Sequence, residues 1–427
     1  MKRTTISFIA ALAAATFLMA GPALSGRGWL AAQESGSQNA ADDDPFDISA
    51  FDSGVGEATS PENAQRVEFL FGGSFLPSAS VSATSGFQGY AASSSLSGKL
   101  FGKVSLEDYG SLYLSYGLSQ QFLQSAGGDA PVMPGKSLSS PAFTLTELYY
   151  SFDLGKLLFA RLGNQLIAWG PSKIWSAVDF INLEKADAFQ GLDLRVGKPG
   201  LRLHLPMESS NLFAFADFSG TVSKAGVVQD IIDSVNLGFR YDLSLSGFEL
   251  GFTTYLGSST QGRGGFDFSG RALGSTIYGE VAFLPAYDAY DFSWSAAAGI
   301  ERKLGDLKKV TASGEFFYNS LGEDDESGYT ALILAKAFSP TYVGKYYGYF
   351  GLNWDDLFSP DLSTSVSLLA NFSDGSVSAR LTENVALKGI PPFSVILGWT
   401  GGGANKAFTY YSGDSTLSLT LQSRIEF

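Results

Sequence analysis

From Arg66 to the last residue the chain keeps a hydrophobic period of two, in segments of about ten residues separated by turn residues. In the segment from Ser234, the residues Val235, Leu237, Phe239, Tyr241 and Leu243 share one face, while Asn236, Gly238, Arg240 and Asp242 share the other. Successive side chains of a strand point to opposite sides, so each such segment is a strand with one greasy and one wet face. Phe248, Leu250, Phe252 and Leu256 repeat the pattern against Glu249, Gly251, Thr253 and Tyr255. Phe292, Trp294, Ala296, Ala298 and Ile300 repeat it against Ser293, Ser295, Gly299 and Glu301.

A water-soluble sandwich alternates too, so length and connections have to separate the two cases. The pattern predicts strands at 66–77, 92–106, 110–122, 142–153, 157–168, 192–205, 211–219, 234–245 and 247–257. The second half continues with 275–284, 291–303, 308–319, 328–336, 343–354, 362–372, 376–387, 391–400 and 414–427. Most reach the ~9–11 residues with which a tilted strand crosses a bilayer. Connections alternate in length. Those at Glu107 to Tyr109, Gly155 to Lys156 and Ser246 are short, and those at 123–141, 169–191, 220–233, 258–274 and 401–413 are long. Two turns on the long side, near Gly305 and Asp374, are short exceptions. The expected fold is all-β, a transmembrane antiparallel β-barrel of about 18 strands, with 16 as the alternative.

Composition agrees. The chain is 45% hydrophobic and 14% aromatic, yet beyond its first residues no apolar run reaches the ~20 positions of a membrane-spanning helix. Charge is low at 16%, and a net charge of −14 argues against a nucleic-acid partner. The absence of cysteine removes disulfides, thiol chemistry and a lipid-modified N-terminus.

The N-terminus sets the expected compartment. Lys2 and Arg3 precede an apolar stretch from Ile6 to Ala20, and Ala23, Leu24 and Ser25 form a small-x-small cleavage site, so residues 1–25 read as a secretory signal peptide. Residues 26–65, with Asp42, Asp43, Asp44 and Pro45, read as an acidic flexible linker, a small plug inside the barrel being the alternative. The barrel is expected to occupy 66–427.

At the far end, Leu417, Leu419, Leu421, Ile425 and Phe427 alternate with Ser418, Thr420, Gln422, Arg424 and Glu426, and Phe427 is the last residue. This resembles the terminal strand by which bacterial barrel-assembly machinery recognises outer-membrane proteins, and it makes Leu421, Ile425 and Phe427 an expected assembly signal. It departs from many such strands at Gln422, where they carry glycine. A second segment, Arg161, Gly163, Gln165, then Trp169, Gly170 and later Asp179, Phe180 and Asn182, resembles a strand and loop of large porin-like barrels. It covers little of the chain. The Asn-Pro-Ala hatch of FadL-type transporters is not found.

With the greasy positions turned to lipid, the inward set includes the cations Lys99, Lys103, Arg161, Arg195, Arg202, Arg240, Arg380 and Arg424. Its anions are Glu147, Asp153, Asp242, Glu249, Glu280, Glu301, Glu315 and Glu426. A dry core would not tolerate so many charges on one face, whereas a hydrated lumen would. Most of these are expected to line a pore, with Arg161, Arg195, Arg202 and Arg240 on one wall and Glu249, Glu280, Glu301 and Glu315 on the next. Such opposition would set a transverse field. For any one residue, bracing the wall through cross-strand pairs is the plainer role.

The third outward connection, Gly170 to Gln190, carries Lys173, Trp175, Asp179, Phe180 and Glu184. General porins fold their third outward loop inward, and by analogy of position these residues would form a constriction; packing over the rim is the alternative. No enzyme, metal or cofactor signature accompanies them. The sole histidine, His204, shares the wet face with Arg202. Gly262, Gly264 and Gly265 read as turn glycines and not as a phosphate cradle. The resemblance implies passive diffusion of small hydrophilic solutes through an outer membrane, with membrane lipid and the assembly machinery as partners and a homo-oligomer left open. A transporter of hydrophobic ligands and a surface adhesin or structural barrel are the competing readings.

Overall fold

The structure, a computed structural model, describes residues 67–427 except 86–88, 108, 129–139, 183–190, 223–233, 258–261, 286–290, 306–308, 335–341 and 411. The signal peptide and the acidic linker therefore lie outside the described residues, as does Glu184.

Nineteen strand segments follow in chain order. The first nine are β1 Val67–Thr84, β2 Gly89–Leu106, β3 Gly110–Gly128, β4 Ala142–Leu154, β5 Leu158–Gln165, β6 Lys198–Met207, β7 Ser210–Asp217, β8 Asn236–Leu245 and β9 Phe248–Gly257. Then come β10 Arg263–Ala272, β11 Ser275–Leu284, β12 Ser293–Leu304, β13 Val310–Asn319 and β14 Tyr346–Asp355. The last are β15 Leu362–Asn371, β16 Ser376–Val385, β17 Phe393–Gly401, β18 Thr416–Ser423 and β19 Ile425–Glu426. β18 and β19 are one strand interrupted at Arg424, so the sheet is a ring of eighteen antiparallel strands. Every strand pairs with its sequence neighbour, and β1 closes the ring on β18 and β19, with Ser80 opposite Thr420 and Phe75 opposite Ile425. Closure leaves no edge, which is the condition for a sheet in hydrocarbon, where an unsatisfied backbone group costs several kcal/mol.

The outer face carries the greasy half of each alternation: Leu237, Phe252, Ile300, Phe350, Leu397 and Leu417 are all exposed there. Trp294 and Tyr346 flank Tyr318 at one rim, their rings tilted against it, and Phe71, Phe75 and Phe427 cluster toward the other. An apolar belt between two aromatic girdles is the signature of a membrane-spanning barrel. Among the described residues no helix is long and apolar enough to cross a membrane.

Eight short turns lie at the end that also holds both ends of the barrel. Ser246–Gly247 and Leu273–Gly274 turn in two residues, all four with positive φ, the type I′ geometry whose twist matches a hairpin. The opposite end carries the long connections, above all 166–197, 218–235 and 320–345.

Three expectations are corrected here. Residues 263–272, expected inside a loop, form β10: Phe266 and Phe268 supply its greasy face, and Gly265 and Gly270 make room for neighbours. A Cβ on Gly270 would run into the Phe248 ring. Conversely, the expected strand at 328–336 is a helix, α1 Tyr329–Leu334, preceded by a 3-10 turn at Glu326–Gly328 that Asp325 caps by accepting from the Ser327 N–H at 2.8 Å. Its apolar residues cluster without alternation, and Tyr329 packs on Val343 and Ala407. The two errors cancel in the strand count. They also explain the Gly305 exception: with β10 restored, that turn falls at the short-turn end.

Candidate functional site: a connection folded into the lumen

The third outward connection, between β5 and β6, turns inward in its described residues, 166–182 and 191–197. Ile167, Trp169, Phe180 and Ile181 bury themselves against Phe215 of β7, Tyr255 of β9 and Ala282 of β11, all inward-facing. Further along, Trp175 packs with Ala297 of β12, Phe317 of β13, Tyr347 of β14 and Leu369 of β15. The Trp175 indole lies parallel to the Phe317 ring, 5.6 Å between centroids. On its return the connection meets another part of the wall: a Cβ on Gly191 would lie 2.8 Å from Leu76 of β1 and 3.3 Å from Gln422 of β18. One segment thus rests on both sides of the interior. Apolar side chains on this connection find cover inside the barrel rather than over its rim.

Wall carboxylates hold it there. Glu280 of β11 accepts from the Ser172 N–H at 2.8 Å, the Val178 N–H at 3.1 Å and the Ser176 hydroxyl at 3.4 Å. Glu315 of β13 accepts from the Lys173 N–H at 3.0 Å, the Ile174 N–H at 3.2 Å, the Trp175 N–H at 2.8 Å and the Tyr278 hydroxyl at 2.9 Å. Lys173 reaches Glu301 of β12 with its ammonium. Where the connection leaves the wall, Glu147 of β4 accepts from the Leu166 N–H at 3.0 Å and pairs with Lys99 of β2 at 3.6 Å.

The segment that resembles porin-like barrels supplies the connection's own geometry. Gly163 has φ +131, and a Cβ there would collide with the Leu148 carbonyl oxygen. Gln165 donates to the carbonyls of Arg161 and Gly200 at 3.3 and 3.4 Å. Gly170, with φ +99, lets the backbone pass Glu280 where a Cβ would press on a carboxylate oxygen. Asp179 lies 3.8 Å from Arg195, and Asn182 donates to the Ile167 carbonyl. Arg195 also chelates Asp193, with contacts of 3.0 and 2.7 Å. Burial pushes the Asp193 carboxyl up, but the hydrogen bonds and charge of Arg195 outweigh it and hold the group below the ordinary carboxylate range.

The remaining predicted cations divide by partner. Arg195 is not on a strand, because β6 begins at Lys198, so it braces the connection. Arg240 of β8 is clasped by Asp267 of β10 at 2.7 and 2.9 Å and by Asp242 at 2.7 Å, and also donates to Thr253 at 3.1 Å. Arg161 of β5 and Arg202 of β6 stand opposite each other in register. Arg161 lies 4.1 Å over the Tyr149 ring and Arg202 5.0 Å over the Phe213 ring. Lys103 faces inward on β2 opposite Tyr113, and Arg380 of β16 stands between Ser367 and Gly398. Glu249 is exposed near the short-turn end of β9. Leu421, Ile425 and Phe427 all lie on the outer face of the last strand, beside β1. His204 stacks on Phe213 at 4.3 Å and shares a hydrogen bond of 2.9 Å with Asn211. Sequence reasoning missed Asp267 because it sits on the strand read as a loop. It missed Tyr278, 37 residues from Glu315, and the N–H donors at 172–178, more than a hundred residues from their acceptors, because a hydrogen bond between distant segments has no local signal.

Fold and site together define a closed antiparallel β-barrel of eighteen strands with the connection between β5 and β6 folded inward. OccAB1 of Acinetobacter baumannii has a similar structure, with TM-score 0.50, 9% sequence identity, and 84% of this chain and 96% of that one covered. OprD of Pseudomonas aeruginosa follows at 0.48, with 8% identity and coverages of 84% and 95%. A Rhodopseudomonas blastica porin variant gives 0.41, with 11% identity and coverages of 84% and 100%. The likeness to OccAB1 is one of fold. No family model matches the chain, and no curated protein matches its sequence.

Proposed function

We propose that the protein is an outer-membrane channel for passive diffusion of small hydrophilic solutes, narrowed by residues 166–197. The observation that carries this reading is the seating of that connection on inward-facing side chains of β7 through β15 and again beside β1 and β18. A segment held at both sides of a wet lumen reduces its bore without closing the membrane-facing wall. Solutes would pass along the hydroxyl-rich inner face, where Ser78 bonds Ser95 at 2.8 Å, Ser80 bonds Thr420 at 2.9 Å and Thr400 bonds Thr416 at 2.7 Å. Hydroxyls exchange hydrogen bonds with water and polar solutes at little cost, which favours passage over retention. Lys103, Arg161, Arg202 and Arg380 would add positive charge to the lining, and Lys173, Trp175, Asp179 and Phe180 would shape the narrow part.

Residues 1–25 would direct export, residues 26–65 would tether the barrel without filling it, and the final strand would present Leu421, Ile425 and Phe427 to the assembly machinery. Planar-bilayer recording of the refolded protein tests the central claim: stepwise ion conductance is expected. Its absence, together with retention of a hydrophobic ligand, would favour the transporter reading.

A further inference from the structure

Glu280 and Glu315 are the two inward carboxylates most completely enclosed by the connection. Their hydrogen bonds come from neutral donors: four backbone N–H groups within Ser172 to Trp175, the Val178 N–H, and the hydroxyls of Ser176 and Tyr278. Both side chains are buried. Backbone N–H groups removed from water need acceptors, and an ionised carboxylate makes the stronger bond. The connection is shaped to receive them, since Gly170 makes room beside a Glu280 oxygen that any side chain at that position would contact. Lys173 directs its ammonium elsewhere, to Glu301.

We propose that Glu280 and Glu315 are the positioning residues that set the bore: a two-point carboxylate clamp keeps residues 170–178 against the β11–β13 wall and thereby fixes the width of the passage. Neither residue needs to touch a solute. The inference rests on the channel reading only for its consequence in transport, because the clamp itself is a statement about where the connection sits.

The double variant Glu280→Gln and Glu315→Gln tests it. Glutamine keeps the shape but turns one acceptor into a donor facing N–H groups, so the clamp should release while the wall stays paired. The chain has no cysteine, so a single Val178→Cys change at a fully buried position makes a unique thiol reporter. In the parent background this thiol should resist a polar maleimide. In the double variant it should react, and single-channel conductance should rise on the order of twofold. Gly170→Ala should produce the same labelling in part. A folded double variant whose reporter thiol stays protected would overturn the proposal. So would loss of the folded, heat-modifiable barrel in both single variants, because releasing a connection should not unpair the wall. If the parent protein conducts no ions, the channel reading fails, yet labelling still decides the clamp.

Discussion

At the level of single residues, the inner wall holds some charges in ion pairs and others over aromatic rings. Arg240 belongs to the first group, since Asp267 and Asp242 both depend on it. Replacing Arg240 with glutamine leaves buried Asp267 without its cation, which should destabilise the barrel by about 3–5 kcal/mol. Adding Asp267→Asn should restore most of that. Urea midpoints of the refolded variants check both. Arg161 and Arg202, both buried, stand side by side over the Tyr149 and Phe213 rings on the inner wall. Changing both to glutamine should shift ion preference toward cations, and the shift should shrink in about 1 M salt, where the screening length drops to about 3 Å. Reversal potentials under a salt gradient measure it, and selectivity equal to the parent's in dilute salt would show that the pair only braces the wall.

At the level of elements, the last strand has the clearest separable role. The Phe427 ring sits 6.0 Å from Phe71 and 5.8 Å from Phe75, while its backbone exchanges hydrogen bonds with Gly73 at 3.0 and 3.2 Å. These contacts complete the seam between β1 and β19. Replacing Phe427 with aspartate puts a charge on the outer face near the rim and should sharply reduce assembled protein, read as heat-modifiable mobility and membrane yield. Unchanged values would show that the seam closes without it. Strands with strict alternation, such as β8, β9 and β12, were readable from the sequence because one face meets lipid and the other water. β10 was not, because five glycines from 262 to 274 imitate a loop until the side chains that Gly265 and Gly270 accommodate are known.

For the whole molecule, asymmetry is the main result. The third connection covers the wall from β7 to β15, and the segments around Tyr329, Val343 and Ala407 gather near the short 372–375 turn. Asp374 in that turn accepts from the Ala407 N–H at 2.7 Å and from Ser376. A short turn there lets two longer connections meet above it. If these connections alone narrow the lumen, deleting residues 34–60 should leave conductance nearly unchanged. A large rise after that deletion would mean that the N-terminal segment obstructs the pore.

The sequence by itself determined the barrel, the pairing of its last strand with its first and the inward placement of most charges. Each follows from a local rule, the alternation of period two along strands long enough to cross a membrane. Only the tertiary structure decided what the inward charges do. Glu280 and Glu315 looked like an acidic wall facing an arginine wall, yet they receive the backbone of residues 172–178, and Arg240 is satisfied by an aspartate on a strand hidden among glycines. The partner of a carboxylate is set by which distant N–H group folding brings within about 3 Å, and no periodicity along the chain records that distance.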